Sequence, residues 1–358
     1  MHFKDAVFFK ALMKDYIIVG FGLAGIHIAQ QLEKRNKSFV VFDENKENAS
    51  LVAGGVCNPL ILKRFTKAWN IEEFLPHSKK TYHQFEKDLN IEIHQPISIY
   101  RKIYSIEEQN NWFVAHDKPG LSKFMDDKIH NLPNIKSEFG FGKVLQASIV
   151  NIEKLSNTYK EKLINKNCFI QQKIDFSKLS IQENYISYNN IKAKKIIFCE
   201  GHQLLKNPFF DNLPLVGNKG EYLVFKAPEL KLNAILKSSY TLIPLGNDYY
   251  KFGATYSRDY KNEKSEKPTQ THLIDKLEEL IDFPYTLKGF DVGIRPTVLD
   301  RRPLLGKHPK HQNILLCNGL GTHGIMMAST IAEKLLDFDI ENKPLPSLIN
   351  LNRYVEKK

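Results

Sequence analysis

The chain has 358 residues, 42% of them hydrophobic, enough for one large or two medium packed domains. No run of about 18 apolar residues occurs, so no membrane span is expected. The four cysteines, Cys57, Cys168, Cys199 and Cys317, lie too far apart for a zinc or redox C-x-x-C, so no metal site is expected and a reducing, cytoplasmic setting fits. The net charge of +11 comes from 43 Lys against 8 Arg, dispersed along the chain. That pattern reads as a solvated basic surface, because nucleic-acid recognition leans on Arg.

Residues 1–13 read as an N-terminal extension without the apolar core of a signal peptide. Tyr16–Val19 is a short apolar run, as a buried parallel strand should be. Gly20, Gly22 and Gly25 follow as G-x-G-x-x-G and open a helix through Ile26, Ala29 and Leu32. The N–H groups at its start, Leu23 and Ala24 included, face a diphosphate. A second strand, Phe39–Phe42, ends at Asp43, placed to meet ribose hydroxyls. These features together predict a dinucleotide site, which the first motif alone does not assign to NAD or to FAD.

Ala53, Gly54 and Gly55 put three small residues in a row, which lets backbone lie against something flat or charged. Residues 68–90 predict a helix interrupted near Pro76. Residues 91–105 alternate like antiparallel strands, and a helical patch covers Ile106–His116. Residues 142–199 read as Rossmann-like, opened by Lys143–Ser148 and closed by a buried strand, Ile196–Cys199, whose turn at Gly201 suits another cofactor contact. Residues 214–256 predict antiparallel strands, Thr269–Ile281 a helix, and Arg258–Lys267 a solvated loop. Near the end, the strand Ile314–Cys317 leads into a second glycine turn, Gly319, Gly321 and Gly324, and a long helix. Glycine turns at both ends of the chain suit a large cofactor held at two places, which favours FAD.

The order of "ASLVAGGVCNP", "KKIIFCEG", "GIRPTVLDRRPLLG" and "NGLGTHGI" after the first turn resembles the FAD-dependent D-amino-acid oxidase superfamily, the group of glycine and sarcosine oxidase. The resemblance runs from Asp15 to about Phe338. It implies an α/β fold: a Rossmann-type FAD domain (14–75, 142–207 and 288–340) interleaved with a substrate domain (76–141 and 208–287) on a mixed, largely antiparallel sheet, with 341–358 as a tail. It implies oxidation of the C–N bond of a small amino acid or secondary amine, with hydride transfer to flavin N5 and electrons passed on to oxygen or a carrier.

By the same resemblance, Arg295 matches the arginine that pairs with a substrate carboxylate. Gly321, Thr322, His323, Gly324 and Ile325 match the turn at the flavin pyrimidine. Tyr240 and Tyr256 fall on strands of the kind that line the substrate face. Asp300 and Arg301 read as a structural pair, and His202 as a satisfied loop histidine. "EGH" at 200–202 departs from the usual small residue–Thr–Gly. No Cys lies between 289 and 309, so non-covalent FAD is expected. The closing segment also resembles the flavin domain of an enzyme that acts on a carboxymethylaminomethyl-modified tRNA uridine. An amine dehydrogenase passing electrons to a carrier and a non-catalytic flavin protein are the further alternatives.

Overall fold

Two sheets are built from different hydrophobic patterns. In the first, Ile17, Ile18, Val41, Ile196 and Ile197 are all essentially solvent-free, as strands covered on both faces must be. In the second, burial alternates along residues 221–226, so one face meets a core and the other a cleft. A computed structural model describes residues 13–46, 48–260 and 262–355. The predicted extension, up to residue 12, lies outside the described residues.

The elements that position the site are β1 (Lys14–Val19), α1 (Leu23–Lys34), β2 (Phe39–Asp43), α2 (Ile71–Leu89), β3 (Ile99–Lys102), β4 (Ile191–Phe198), β5 (Leu215–Lys226), β6 (Ile235–Lys237), β7 (Thr241–Gly246), β8 (Tyr249–Gly253), β9 (Thr286–Val298), β10 (Ile314–Asn318) and α3 (Gly324–Glu341). In the first sheet β2, β1, β4 and β10 are parallel neighbours, with Tyr16 opposite Phe39 and Phe198 opposite Leu316. The second sheet runs β9-β5-β8-β7-β6-β3 and continues through Phe141–Val144 to Met125–His130. Its pairs are antiparallel except β6 with β3. The chain is thus α/β, a sheet with a parallel centre and antiparallel strands added at its edge joined to a mixed, largely antiparallel one.

Several expectations are corrected. The helix α2 runs unbroken through Pro76. A proline inside a helix costs about 3 kcal/mol, and the buried Ile71, Phe74, Tyr82 and Phe85, on a helix that packs against α3, offset it. The strands within 91–105 do not pair with each other: His94–Pro96 joins a small sheet with Ser148–Val150, whereas β3 joins the second sheet. Lys143–Ser148 does not open a parallel unit; Phe141–Val144 pairs with β3 in the second sheet. Asp300 pairs with Arg353 at 2.8 Å, not with Arg301. The loop before the helix Lys267–Glu278 is anchored, with Ser265 Oγ donating to Glu221 and Lys219 Nζ to the Lys264 carbonyl. Beyond α3, Leu345, Ile349 and Leu351 are buried; the Leu305 N–H donates to the Ile349 carbonyl and the Leu351 N–H to the Leu305 carbonyl, across the end of the first sheet.

Candidate active site: a cleft between the two sheets

The turn after β1 shows why three glycines stand there. Gly20 has φ +97°, and a Cβ on it would come within 2.5 Å of the Cys199 carbonyl oxygen. A Cβ on Gly25 would lie 2.0 Å from the Gly20 oxygen, so α1 starts pressed against its own turn. Gly22 differs: its φ −77° and ψ −169° suit any residue, and the nearest atom to an added Cβ is the rotatable Ser50 Oγ at 3.1 Å. Nothing within the protein demands glycine there, and the side open to a ligand does.

Above this turn, Asp43 Oδ2 accepts from the Phe21 N–H at 2.7 Å and Oδ1 from Asn45 N–H at 2.6 Å. Burial still raises its pKa above the usual carboxylate value. The Leu23 N–H donates to Ser50 Oγ at 3.1 Å, while Ala24 and Gly25 complete the first turn of the helix. The second glycine turn reaches the same place from the far end of the chain. Asn318 donates to the Gly201 carbonyl at 2.9 Å and to Gly319 it offers an acceptor at 2.8 Å. The Gly321 N–H donates to the Pro296 carbonyl. Thr322 and His323 lead into α3, and burial lowers the pKa of the His323 imidazole. A Cβ on Gly324 would lie 3.2 Å from Leu23 Cδ1, so two helix N-termini meet, and the Ile325 carbonyl is fixed by the buried Tyr82 hydroxyl at 2.7 Å. Two positive helix ends side by side suit an anionic ligand.

Below them a cleft of ≈ 620 Å³ opens onto the second sheet. Ala53, Gly54 and Gly55 form its near wall. A Cβ on Gly54 would overlap Ile243 Cδ1 at 2.1 Å, so this backbone rests directly on β7. The floor is one face of the sheet. Thr241, opposite Gly253, and Tyr222, also opposite Gly253, share it with Gly220, Gly293 and Arg295.

Arg295, half-buried on β9, lines the cleft. Its Nη1 donates to Asn218 Oδ1 at 3.2 Å and to the Thr255 carbonyl at 3.3 Å. Both acceptors are neutral, and among the described residues no carboxylate pairs with this guanidinium. Gly220 makes room for it: a Cβ there would stand 2.3 Å from Nη2. The Tyr222 phenol lies beside Arg295; burial raises its pKa and the arginine pulls it partly back.

Of the predicted tyrosines, Tyr256 stands at the rim, 54% exposed, in the segment after β8 and not on a strand. Tyr240 is outside the cleft. Its hydroxyl meets His272 Nε2 at 3.0 Å on the opposite side of the sheet, because it immediately precedes Thr241 and successive residues face opposite ways. Thr241, Tyr222 and Gly220 are cleft residues that sequence reasoning missed; counting alternation back from the strand pairings finds them. His202 bonds Glu263 at 3.2 Å at the rim, and Glu200, whose Oε2 accepts from Asn207 at 2.6 Å, is pushed up to about 7 by burial.

A glycine turn at a parallel strand's carboxyl end, an acid after the second strand and a large cleft beyond define a dinucleotide-binding oxidoreductase. The model of a family described as DAO, FAD dependent oxidoreductase, matches residues 15–337, and the chain belongs to that family. FAD is its cofactor, and the open side of Gly22 with the paired helix ends fits its diphosphate.

Solved structures agree in fold. Glycine oxidase from Bacillus cereus ATCC 14579 is 17% identical with a TM-score of 0.79, over 95% of this chain and 99% of that one. Iminodiacetate oxidase from Chelativorans sp. BNC1 is 16% identical, TM-score 0.75, over 95% and 98%. L-proline dehydrogenase from P.horikoshii is 12% identical, TM-score 0.74, over 97% and 99%. Among the described residues no helix is long and apolar enough to cross a membrane. Neither the structure nor these relatives support the tRNA alternative.

Proposed function

We propose that the protein oxidises the C–N bond of an amine or amino acid that carries a carboxylate. The observation that carries this reading is Arg295: a cleft-facing guanidinium held by two neutral acceptors and lacking a carboxylate partner among the described residues. A fork of N–H donors in that state is matched to a carboxylate. The names of the relatives, which include an oxidase of glycine and one of iminodiacetate, point to the same class.

Bound, non-covalent FAD supplies the two-electron chemistry, and oxygen or an electron carrier then takes the electrons. The protein's part is orientation. Arg295 fixes the carboxylate end, so the C–N bond lies over the floor formed by Tyr222 and Thr241. The wall at Ala53, Gly54 and Gly55, packed on β7, would line the flavin side of the cleft, and the apolar Ile235 and Ile243 would exclude water from the reacting carbon. Tyr256 at the rim contacts the substrate's outer end.

Anaerobic titration of the purified holoprotein with glycine, sarcosine, iminodiacetate and D- and L-amino acids tests this. Bleaching of the flavin absorbance by a carboxylate-bearing amine, and not by the matching amine without a carboxylate, is expected. Equal bleaching by both would remove the role assigned to Arg295.

A further inference from the structure

The cleft floor holds a second cation with no partner among the described residues. Lys237 ends β6 and lies opposite Thr241, which lies opposite Gly253, which lies opposite Tyr222. Tyr222 in turn lies opposite Asp291, and Asp291, Gly293 and Arg295 alternate onto one face of β9. Lys237 and Arg295 therefore stand on the same face of the same sheet, and both line the cleft.

Two cations near it on this face are neutralised. Lys251 Nζ pairs with Asp291 at 2.8 Å and donates to the Val52 carbonyl at 3.1 Å. Arg101, opposite Lys237 in register, pairs with Glu108 and lies over the Tyr104 ring. Lys237 has neither an ion pair nor a hydrogen bond among the described residues, although it is largely enclosed. A buried cation without a partner is costly. Burial first and Arg101 second lower its pKa to about 8, the mark of that cost. An anion arriving from the cleft would relieve it.

We propose that the substrate carries a second anionic group, remote from the carboxylate held at Arg295, and that Lys237 receives it. The inference rests on the reading of Arg295 given above. Spacing adds a constraint. β9 and β6 are separated by β5, β8 and β7, four strand intervals or about 19 Å between backbones. Even with two long side chains reaching inward, a bare amino acid with an acidic side chain is too short. The class that fits is an elongated dianionic amine, such as an amino acid whose nitrogen or side chain bears an arm ending in a second carboxylate.

The test uses unreactive ligands on the holoprotein. Straight-chain α,ω-dicarboxylates of four to ten carbons (~4–10) are titrated against monocarboxylates of equal length, read by the flavin difference spectrum. A longer dicarboxylate should bind about ten-fold tighter than its monocarboxylate twin. Lys237→Gln should abolish that preference and leave monocarboxylate affinity unchanged, while Lys237→Arg should keep it. Equal binding of the twins, an equal loss for both in Lys237→Gln, or loss of flavin from that variant would overturn the proposal. Arg295→Gln separates the two readings. It should weaken both twins, and if it weakens neither, the carboxylate anchor itself fails.

Discussion

Gly25→Ala and Gly22→Ala, three residues apart, should damage different things. An alanine in place of glycine inside a helix ordinarily gains about 0.8–1 kcal/mol. At Gly25 the new Cβ would lie 2.0 Å from the Gly20 oxygen and 3.0 Å from its carbonyl carbon, where ordinary contact begins near 3.4 Å. These are backbone atoms and cannot rotate away, so α1 must withdraw from the turn by roughly 1 Å or more. Overpacking of this kind costs about 1–3 kcal/mol and outweighs the propensity gain. The net effect on the apoprotein is a loss of up to about 2 kcal/mol, or up to about 3 °C in Tm for a chain of this length. At Gly22 the backbone is unstrained and only Ser50 Oγ, at 3.1 Å, must turn aside. The apoprotein should then keep its stability within about 0.5 kcal/mol, yet the methyl group occupies the approach of the diphosphate. The assay strips FAD, records thermal unfolding of the apoprotein and titrates FAD back by fluorescence quenching. Gly25→Ala should lower Tm, whereas Gly22→Ala should leave Tm alone and weaken FAD by about 100-fold, or about 3 kcal/mol. A raised Tm for Gly25→Ala, or wild-type FAD affinity for Gly22→Ala, would refute the reasoning.

Arg295→Lys keeps the charge and loses the fork, so kcat/KM for a carboxylate-bearing amine should fall by about 30–100-fold with flavin content unchanged; depleted flavin would make Arg295 a structural residue. Burial holds the Glu200 carboxyl up at about 7 from its ordinary 4.5, against the pull of Asn207 and Lys173. Its contribution to stability is therefore whole below pH ~4.5 and is lost as pH rises through 7, amounting to about 3 kcal/mol by pH 8. Glu200→Gln should flatten the apoprotein's fall in Tm between pH 5 and pH 8, and an unchanged slope would count against it. Asp43→Ala removes the acceptor for the Phe21 N–H at 2.7 Å and should weaken FAD by about 1–3 kcal/mol, measured by the same FAD titration.

What could be read from the sequence was whatever local backbone demands declare. Gly20 and Gly25 are required by contacts within a few residues or with a neighbouring strand, and the buried runs of β1, β2 and β4 have no polar face to confuse the pattern. The floor of the cleft is another matter. Which of Tyr240 and Thr241 faces the ligand depends on the register of β7 against β8, and nothing in "SSYTLIPLG" fixes that register. Lys237 looked like one of many surface lysines, because its enclosure comes from β3, far away in sequence. Pro76 reads locally as a break, and only the packing of α2 on α3 makes the helix continuous. Arg353, the true partner of Asp300, lies in what composition presents as a tail.

The abutting starts of α1 and α3, with Leu23 against Gly324, belong to opposite ends of the chain. During synthesis the first glycine turn emerges early and waits for nearly the whole polypeptide before its counterpart exists. A nascent chain therefore holds half a grip until α3 has been made, so flavin loading has to follow the synthesis of α3. Since FAD stabilises only the completed fold, by an amount set by its concentration relative to its Kd, the newly made apoprotein is the form most exposed to proteases. Steady-state abundance of this protein should therefore track the cell's riboflavin supply.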